Sequence, residues 1–389
     1  MNELIVRIAA RGDGVTASGR HVPFAVPGDA ILADGGLAFG PHHQHPPCGL
    51  FPQCGGCQLQ QADDDAYRAY LVSRIETGLA QHDLQATIRD PHLSPRCSRR
   101  RATLKALKVG QDVAIGFNAE KSHRIVDMTE CHILRPEVFA LVQPLRELLA
   151  RLLKPKRGAE AQLTLVDQGV DMLLRNVPAE GLEAAQALTE FAGRHRLARL
   201  AVDSGNGPET VYEPVPTTVT FAGVAVGFPA GAFLQATANG EAALAECVRE
   251  CLGTAKAAAD LFAGLGTFAL GLRTAYAAEA SRDAAAALQR AAPQIVVEHR
   301  DLYRRPLDPS ELRRFDAVVL DPPRAGAARQ VEQLADSAVA KIAYVSCNPA
   351  TFARDARVLV DGDYRLDWVR PIGQFRWSTH VELVACFFR

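Results

Sequence analysis

A cysteine stands in Tyr344-Val345-Ser346-Cys347-Asn348-Pro349, just past an apolar run that reads as a buried strand, with Pro349 placed to start a helix. A helix N-terminus stabilises a thiolate, the nucleophilic form of cysteine. Taken alone, an isolated cysteine is more often a buried, inert thiol. Two carboxylates stand in comparable settings. Asp321 opens Asp321-Pro322-Pro323-Arg324 behind Val318-Val319-Leu320. Proline there ends a strand and fixes the carboxylate at a sheet rim, although a simple strand-terminating turn would read the same way. Glu382 lies in the strand-like run His380-Val381-Glu382-Leu383-Val384-Ala385-Cys386-Phe387. A carboxylate in so apolar a strand is costly unless it is paired, functional, or on an edge facing water.

Two further groups carry chemistry. Asp260-Leu261-Phe262-Ala263-Gly264-Leu265-Gly266-Thr267-Phe268 follows an apolar strand and is expected to open a helix, and Glu279 ends the next strand 19 residues after Asp260. Glycines let the backbone approach a ligand, and a strand-ending acid can accept hydrogen bonds from ribose hydroxyls. A third glycine at dinucleotide spacing is missing, so S-adenosylmethionine suits the loop better than NAD; a tight strand–helix turn is the plain alternative. Cys48, Cys54 and Cys57 read C-x5-C-x2-C with Gly49, Gly55 and Gly56 between them, and Cys131 ends Ile125-Val126-Asp127-Met128-Thr129-Glu130-Cys131. Four thiolates suit a structural zinc or an iron–sulfur cluster equally, with His42, His43 and His45 nearby leaning towards zinc. Cys97, Cys247, Cys251 and Cys386 have no partner motif and read as core or incidental.

The elements that must position these groups divide the chain of 389 residues into two or three domains. Residues 1–45 read as short strands broken by turns such as Gly12-Asp13-Gly14 and Pro27-Gly28-Asp29, a small β-barrel pattern. Residues 46–224 read as an α+β domain: a helix over 64–80, alternating strands at 101–106 and around Val113, Ile115 and Phe117, a helix over 138–152 with Pro144 as a kink, strands at 161–166 and 170–175, and a helix over 181–194. From 225 to 389 strands alternate with helices at 257–261, 275–279, 295–298, 316–320 and 342–346, predicting an α/β, mostly parallel sheet. Ligands bind beyond the carboxyl ends of such strands, where Gly264, Gly266, Glu279, Asp301, Asp321 and Cys347 all fall.

Composition sets limits. Lys+Arg number 43 against 44 Asp+Glu, a net charge of −1, which excludes a uniformly basic nucleic-acid coat but not a local patch. Residues 94–124 hold such a patch: Arg96, Arg99, Arg100, Arg101, Lys105, Lys108, Lys121 and Arg124 against Asp112 and Glu120. It can neutralise phosphates, or be an ordinary solvated strand face. No run approaches about 18 uninterrupted apolar residues, so no membrane helix is expected. Met1-Asn2-Glu3-Leu4 lacks a basic stretch followed by an apolar one, so a cytoplasmic, monomeric chain is expected, its nine cysteines mostly reduced or metal-bound.

Taken together and in this order, Phe233-Leu234-Gln235, Asp260 to Gly266, Leu320-Asp321-Pro322-Pro323-Arg324-Ala325-Gly326, Ser346-Cys347-Asn348-Pro349 and His380-Val381-Glu382 resemble the S-adenosylmethionine-dependent RNA uracil-C5 methyltransferases of tRNA and large-subunit rRNA. The resemblance covers 233–382 and extends upstream to the cysteines and to Arg99-Arg100-Arg101. It implies a Rossmann-like class I methyltransferase domain, a central α+β domain and a shortened TRAM-like N-terminal module. It implies Cys347 as the nucleophile that adds to uracil C6 and Glu382 as the base that removes the C5 proton. Gln235, Phe262, Gly264, Gly266, Glu279, Asp321 and, more remotely, Asp301 are then the cofactor contacts. The rRNA-modifying members carry a [4Fe–4S] cluster on such cysteines, which implies Cys48, Cys54, Cys57 and Cys131 as its ligands and rRNA as the favoured partner, reached through 96–124. A tRNA enzyme, or a noncatalytic RNA-binding iron–sulfur protein, is the alternative. Thr267 stands where some members have Asn, and the stretch from Gly266 to Glu279 is short.

Overall fold

The structure, a computed structural model, describes residues 3–389. Met1 and Asn2, which enter the reading of the N-terminus, lie outside them. Two compact units form. One gathers the residues up to Tyr70, Pro95–Thr217 and Phe375–Thr379; the other gathers Leu71–Ser94, Thr218–Gln374 and His380–Arg389.

The first unit holds two sheets. Short strands Glu3–Ile8, Gly14–Thr16, His21–Val22, Ala30–Ile31 and Leu37–Ala38 make a five-stranded antiparallel sheet around Ile5, Ala25 and Ile31, consistent with the small barrel expected there. A six-stranded sheet runs in the order Pro208–Tyr212, Arg199–Asp203, Gly169–Arg175, Gly158–Val166, Arg101–Val109, Asp112–Gly116. Alternate residues of Arg101–Val109, namely Ala102, Leu104 and Ala106, are buried, as the period-two pattern predicts. They join Leu145, Leu149, Leu163, Met172 and Leu188 in one core with the helices Val142–Leu152 and Leu182–Arg194. The single helix expected over 138–152 is two, Pro136–Phe139 and Val142–Leu152. Pro144 therefore does not kink a continuous helix. It sits in the first turn of the second one, where a backbone N–H has no intrahelical acceptor to lose.

The second unit is built on a nine-stranded sheet. Its main order is Val296–His299, Thr274–Glu279, Ala258–Leu261, Ala317–Leu320, Lys341–Ser346, Glu382–Phe388, Arg365–Gly373, Thr87–Ile88, and His92–Leu93 also pairs with Arg365–Gly373. The first five strands are parallel and Glu382–Phe388 is antiparallel to both neighbours. Ala258–Leu261 and Ala317–Leu320 are buried at every position, which is why they read as apolar runs, unbroken in the second and interrupted by the buried Asp260 in the first. This is the Rossmann-like α/β layout expected. The strand order reverses between Ala258–Leu261 and Ala317–Leu320, the place where such sheets open a ligand crevice.

Two expectations fail here. The glycine loop opens no α-helix: only a 3-10 turn, Ala269–Gly271, fits before the next strand starts at Thr274. The short stretch from Gly266 to Glu279 is the reason. Cys251 and Cys386, read as core or incidental and without a partner, do lie in the core but are paired as a disulfide between the helix Ala238–Leu252 and the strand Glu382–Phe388. Among the described residues no helix is long and apolar enough to cross a membrane.

Candidate active site and cysteine cavity

The parallel strands deliver their last residues to one end of the sheet. Leu261 pairs with Leu320, and Leu320 with Tyr344, so Phe262, Asp321 and the Ser346-Cys347 step emerge in sequence. The antiparallel register Ser346↔Leu383 then carries Cys347 alongside Glu382. Glu382 is not an edge residue facing water: its strand is flanked on both sides, and it is 8% exposed. Pro349–Asp361 is the helix expected after the cysteine, capped by Asn348, whose side chain accepts from the Ala350 N–H. Asn348 Nδ2 and Thr351 Oγ1 both donate to Arg324 O, which ties the Asp-Pro-Pro-Arg turn to that helix. Gly326, at φ +81°, lies where a Cβ would come within 2.5 Å of Asp355 Oδ2. The buried Asp355 carboxylate accepts from Ala327 N and from Tyr344 OH, so the turn is seated on it.

Three titratable groups are raised together. Burial pushes the Asp321 carboxyl up to about 7. Burial, and then the charge of Asp321, push Glu382 up to about 8, against a hydrogen bond from Gln374 that lowers it. Burial, then Glu382 and Asp321, push the Cys347 thiol up to about 11. The expectation that the following helix would favour the thiolate is therefore overturned: desolvation and two facing carboxylates outweigh the helix N-terminus. At neutral pH Cys347 and most of Glu382 keep their protons, while Asp321 is near its midpoint.

The remaining candidates form the rim. Gly264 N donates to Glu279 Oε2 at 2.8 Å and Ser281 N to Oε1 at 2.6 Å, so the acid ending its strand is fixed by the glycine loop. Nothing lies within 4 Å of a Cβ built on Gly264, whose φ is +56°. Phe262 also has a positive φ, +66°, uncommon for a residue with a side chain, and its ring lies 5.6 Å from that of Tyr303. Asp301 accepts from Tyr303 N at 2.9 Å, and Tyr303 OH donates to Gly326 O. Asp260, fully buried, accepts from Ala269 N, and burial holds its carboxyl well above the usual range. Gln235 is buried, with Nε2 3.4 Å from Asp321 Oδ2. Its Oε1 accepts from Gln374 Nε2 at 2.9 Å. Gln374, Tyr303 and Asp355 escaped sequence reasoning: none lies in a spacing pattern, and a lone Gln between strands carries no signal.

The first unit brings the other cluster together. Cys48, Cys54, Cys57 and Cys131 line one cavity with Leu50, Phe51, Phe117, Val126, Met128 and Ile133. Gly49 N donates to Glu130 Oε1, tying the Cys48 loop to the segment of Cys131. At Gly55 a Cβ would meet Asn118 O at 2.6 Å, so the chain between the cysteines needs glycine. Burial pushes Cys57 up to about 12 and raises Cys54 and Cys131, each further raised by its neighbouring thiols. The histidines that leaned towards zinc do not join: His42 and His43 bond Asp63 and Asp29 through Nδ1. Among the described residues no group of three or more His, Cys, Asp or Glu is arranged to hold a metal ion. Trp377, fully buried, packs with Cys57 and Ile133, and its carbonyl accepts from Gln58 N and Leu59 N.

The basic segment is thinner than its sequence suggests. Arg99 is half-buried between the rings of Phe117 and Phe375. Lys105 pairs with Glu160, and the buried Lys108 donates to Ala150 O. Arg96, Lys121 and Arg124 stay exposed.

Comparison with known proteins decides the family. Residues 294–387 match the tRNA (Uracil-5-)-methyltransferase family model. An RNA methyltransferase of Zymomonas mobilis, not further characterised, is 48% identical over 98% of each chain. The 23S rRNA (uracil(1939)-C(5))-methyltransferase RlmD of Pectobacterium atrosepticum is 31% identical, covering 89% of this chain and 80% of its own. The chain belongs to the RNA uracil-C5 methyltransferase family. Its fold is that of these enzymes: the tRNA (uracil-54, C5)-methyltransferase of Pyrococcus abyssi, solved with S-adenosyl-L-homocysteine, superposes over 100% of both chains with a TM-score of 0.75 at 22% identity.

Proposed function

We propose that this chain transfers a methyl group from S-adenosylmethionine to C5 of a specific uridine in large-subunit rRNA, through a covalent adduct on Cys347. The observation that carries the reading is the convergence of Cys347, Glu382 and Asp321 at the carboxyl end of one sheet. Uracil C5 is a weak nucleophile. Addition of the Cys347 thiolate to C6 makes C5 enolate-like, and C5 would then take the methyl group as the sulfonium carbon–sulfur bond breaks and S-adenosylhomocysteine leaves. Glu382 removes the C5 proton, the C5–C6 double bond re-forms, and the thiolate leaves. The target uridine must leave its stack to reach a cysteine at the end of a buried strand.

Gln235, Phe262, Gly264, Gly266, Glu279, Asp301 and Asp321 hold the cofactor in this reading. The open backbone at Gly264 and the fixed Glu279 carboxylate fit a nucleoside, and the bound cofactor supplies an electrophilic methyl group. Cys48, Cys54, Cys57 and Cys131 hold a [4Fe–4S] cluster. Support comes from four thiols on one mostly apolar cavity; His42 and His43 are held by Asp63 and Asp29, and the lining histidine, His132, is bonded to Glu130. A tetrahedral zinc site is the other outcome that metal analysis would reveal. Large-subunit rRNA rests on the RlmD likeness and on these cysteines; tRNA is the second reading.

The test is a Cys347→Ala variant with S-adenosylmethionine and total cellular RNA. It should bind the cofactor and transfer no methyl group. Retained transfer would remove Cys347 as nucleophile, and mapping the methylated base made by the native chain separates rRNA from tRNA.

A further inference from the structure

Gln374 stands between the two raised carboxylates. It ends the segment that follows the strand Arg365–Gly373, is 2% exposed, and touches both sides of the site. Its Nε2 donates to Gln235 Oε1 at 2.9 Å, and Gln235 Nε2 in turn reaches Asp321 Oδ2. Gln374 lies two residues beyond Ile372, the register partner of Glu382, so the two side chains share one face of the sheet, and its amide opposes the two influences that raise Glu382, burial and Asp321. Gln374 Oε1 is buried without a hydrogen-bond partner among the described residues. An unsatisfied buried amide oxygen is costly, so a site that keeps one needs a reason. A carboxyl that takes up a proton becomes a donor, and a primary amide can answer both of its states, donating to the carboxylate or, after turning over, accepting from the acid. Room for the amide is built in: a Cβ on Gly240 would come within 2.8 Å of Gln374 Cβ and 3.3 Å of its Oε1.

We propose that Gln374 is the positioning residue for Glu382: it aims and stabilises the carboxylate for removal of the C5 proton, and through Gln235 ties it to Asp321. This inference rests on the uracil-C5 reading above. The titratable groups facing Glu382 are Asp321, after the strand Ala317–Leu320, and Cys347, after Lys341–Ser346, with Arg324 acting on Cys347. From the third side its register partner is the uncharged Ile372. Gln374 is thus the neutral group through which the environment of the base can be changed without adding or removing a charge.

Two variants test this, with Glu382→Gln as a control. Gln374→Met keeps volume and removes the amide. Gly240→Ala leaves the amide intact and crowds it. Each is assayed for the pH dependence of kcat, for KM of the cofactor, and for denaturant-stable enzyme–RNA adduct. Without the amide, Glu382 is harder to ionise and proton removal slows. The rising limb of the kcat profile should move at least about half a unit alkaline, kcat at pH 7 should fall about tenfold or more, and adduct should accumulate. Cofactor KM should change less than kcat. A merely structural role would lower stability and leave the profile in place. If Glu382→Gln traps adduct while both variants show a native profile and no adduct, the role of Gln374 is overturned. If Glu382→Gln itself traps none, the uracil-C5 reading fails instead.

Discussion

The cysteine cavity and the carboxyl end of the nine-stranded sheet are both places where burial disfavours charge, but they differ in what surrounds the buried groups. In the cavity, thiols face thiols, with mostly apolar walls broken by Gln60, Glu130 and His132. A hydrogen-bonded pair, Glu130 and His132, lines the same cavity, but no carboxylate is among the influences that raise the thiols. Four like thiols in such a setting would be relieved by a cation that replaces their protons, as the proposed cluster would. At the sheet end, a thiol and two carboxylates face one another across a bridge of amides, Gln235 and Gln374. There the groups are unlike, their pKa values are spread from about 7 to about 11, and a proton can change hands. Raised pKa values alone do not distinguish a ligand set from a catalytic set; the chemical variety of the neighbours does.

Substitutions can break this contrast. The largest effect is expected at the sheet end. Cys347→Ala should abolish turnover, and Glu382→Gln should lower it about 10²–10⁴-fold, the range for loss of a positioned general base; steady-state methyl transfer measures both. Cys57→Ser should behave differently, losing bound iron and sulfide with a fall in thermal stability while the sheet-end residues stay intact. Elemental analysis and melting curves check this, and zinc in place of iron and sulfide would replace the cluster while keeping the four cysteines. Next in size is pH. With Glu382 near 8 and Cys347 near 11, both reactive forms gain population as pH rises, so kcat/KM should climb about tenfold or more per unit from pH 6 to 8. A flat profile would contradict it.

The smallest expected effect is on stability. The folded Glu382 binds its proton up to about pH 8, whereas the unfolded chain releases it near 4.5. The folded state therefore binds more protons between those values, and stability falls as pH rises through that window. Glu382→Gln lacks this loss. Its melting temperature relative to the native chain should rise across the window, by a few degrees, and level off above pH 8. Equal melting temperatures at pH 5 and pH 8 would show that Glu382 is not held neutral by burial.

Much of this was legible in the sequence because it is local. Ala317–Leu320 is buried on both faces and so prints as an apolar run, and Asn348-Pro349 marks a helix start through cap and fixed φ together. Cys347 and Glu382 stand out beside such runs, but the residues alone left an inert thiol and an edge carboxylate open, and only the family resemblance gave them roles. What escaped depends on distance along the chain. Phe375–Thr379 belongs to the unit of the cysteines through Trp377 and the Tyr67 hydroxyl, which donates to Phe375 O, and no local pattern announces either contact. Cys251 meets Cys386 for the same reason. The helix expected after Gly266 failed on length, and the lowered thiol pKa failed because Asp321 and Glu382 face Cys347 only in the folded sheet.

The covalent mechanism can be observed by mixing the Glu382→Gln chain with S-adenosylmethionine and total cellular RNA, then separating the products under denaturing conditions. Elimination should stall and leave an RNase-sensitive, denaturant-stable band that vanishes when Cys347→Ala is added, and sequencing the trapped RNA would identify the uridine. Absence of that band, with cofactor shown to bind, would contradict a thiol nucleophile and a carboxylate base at the end of this sheet.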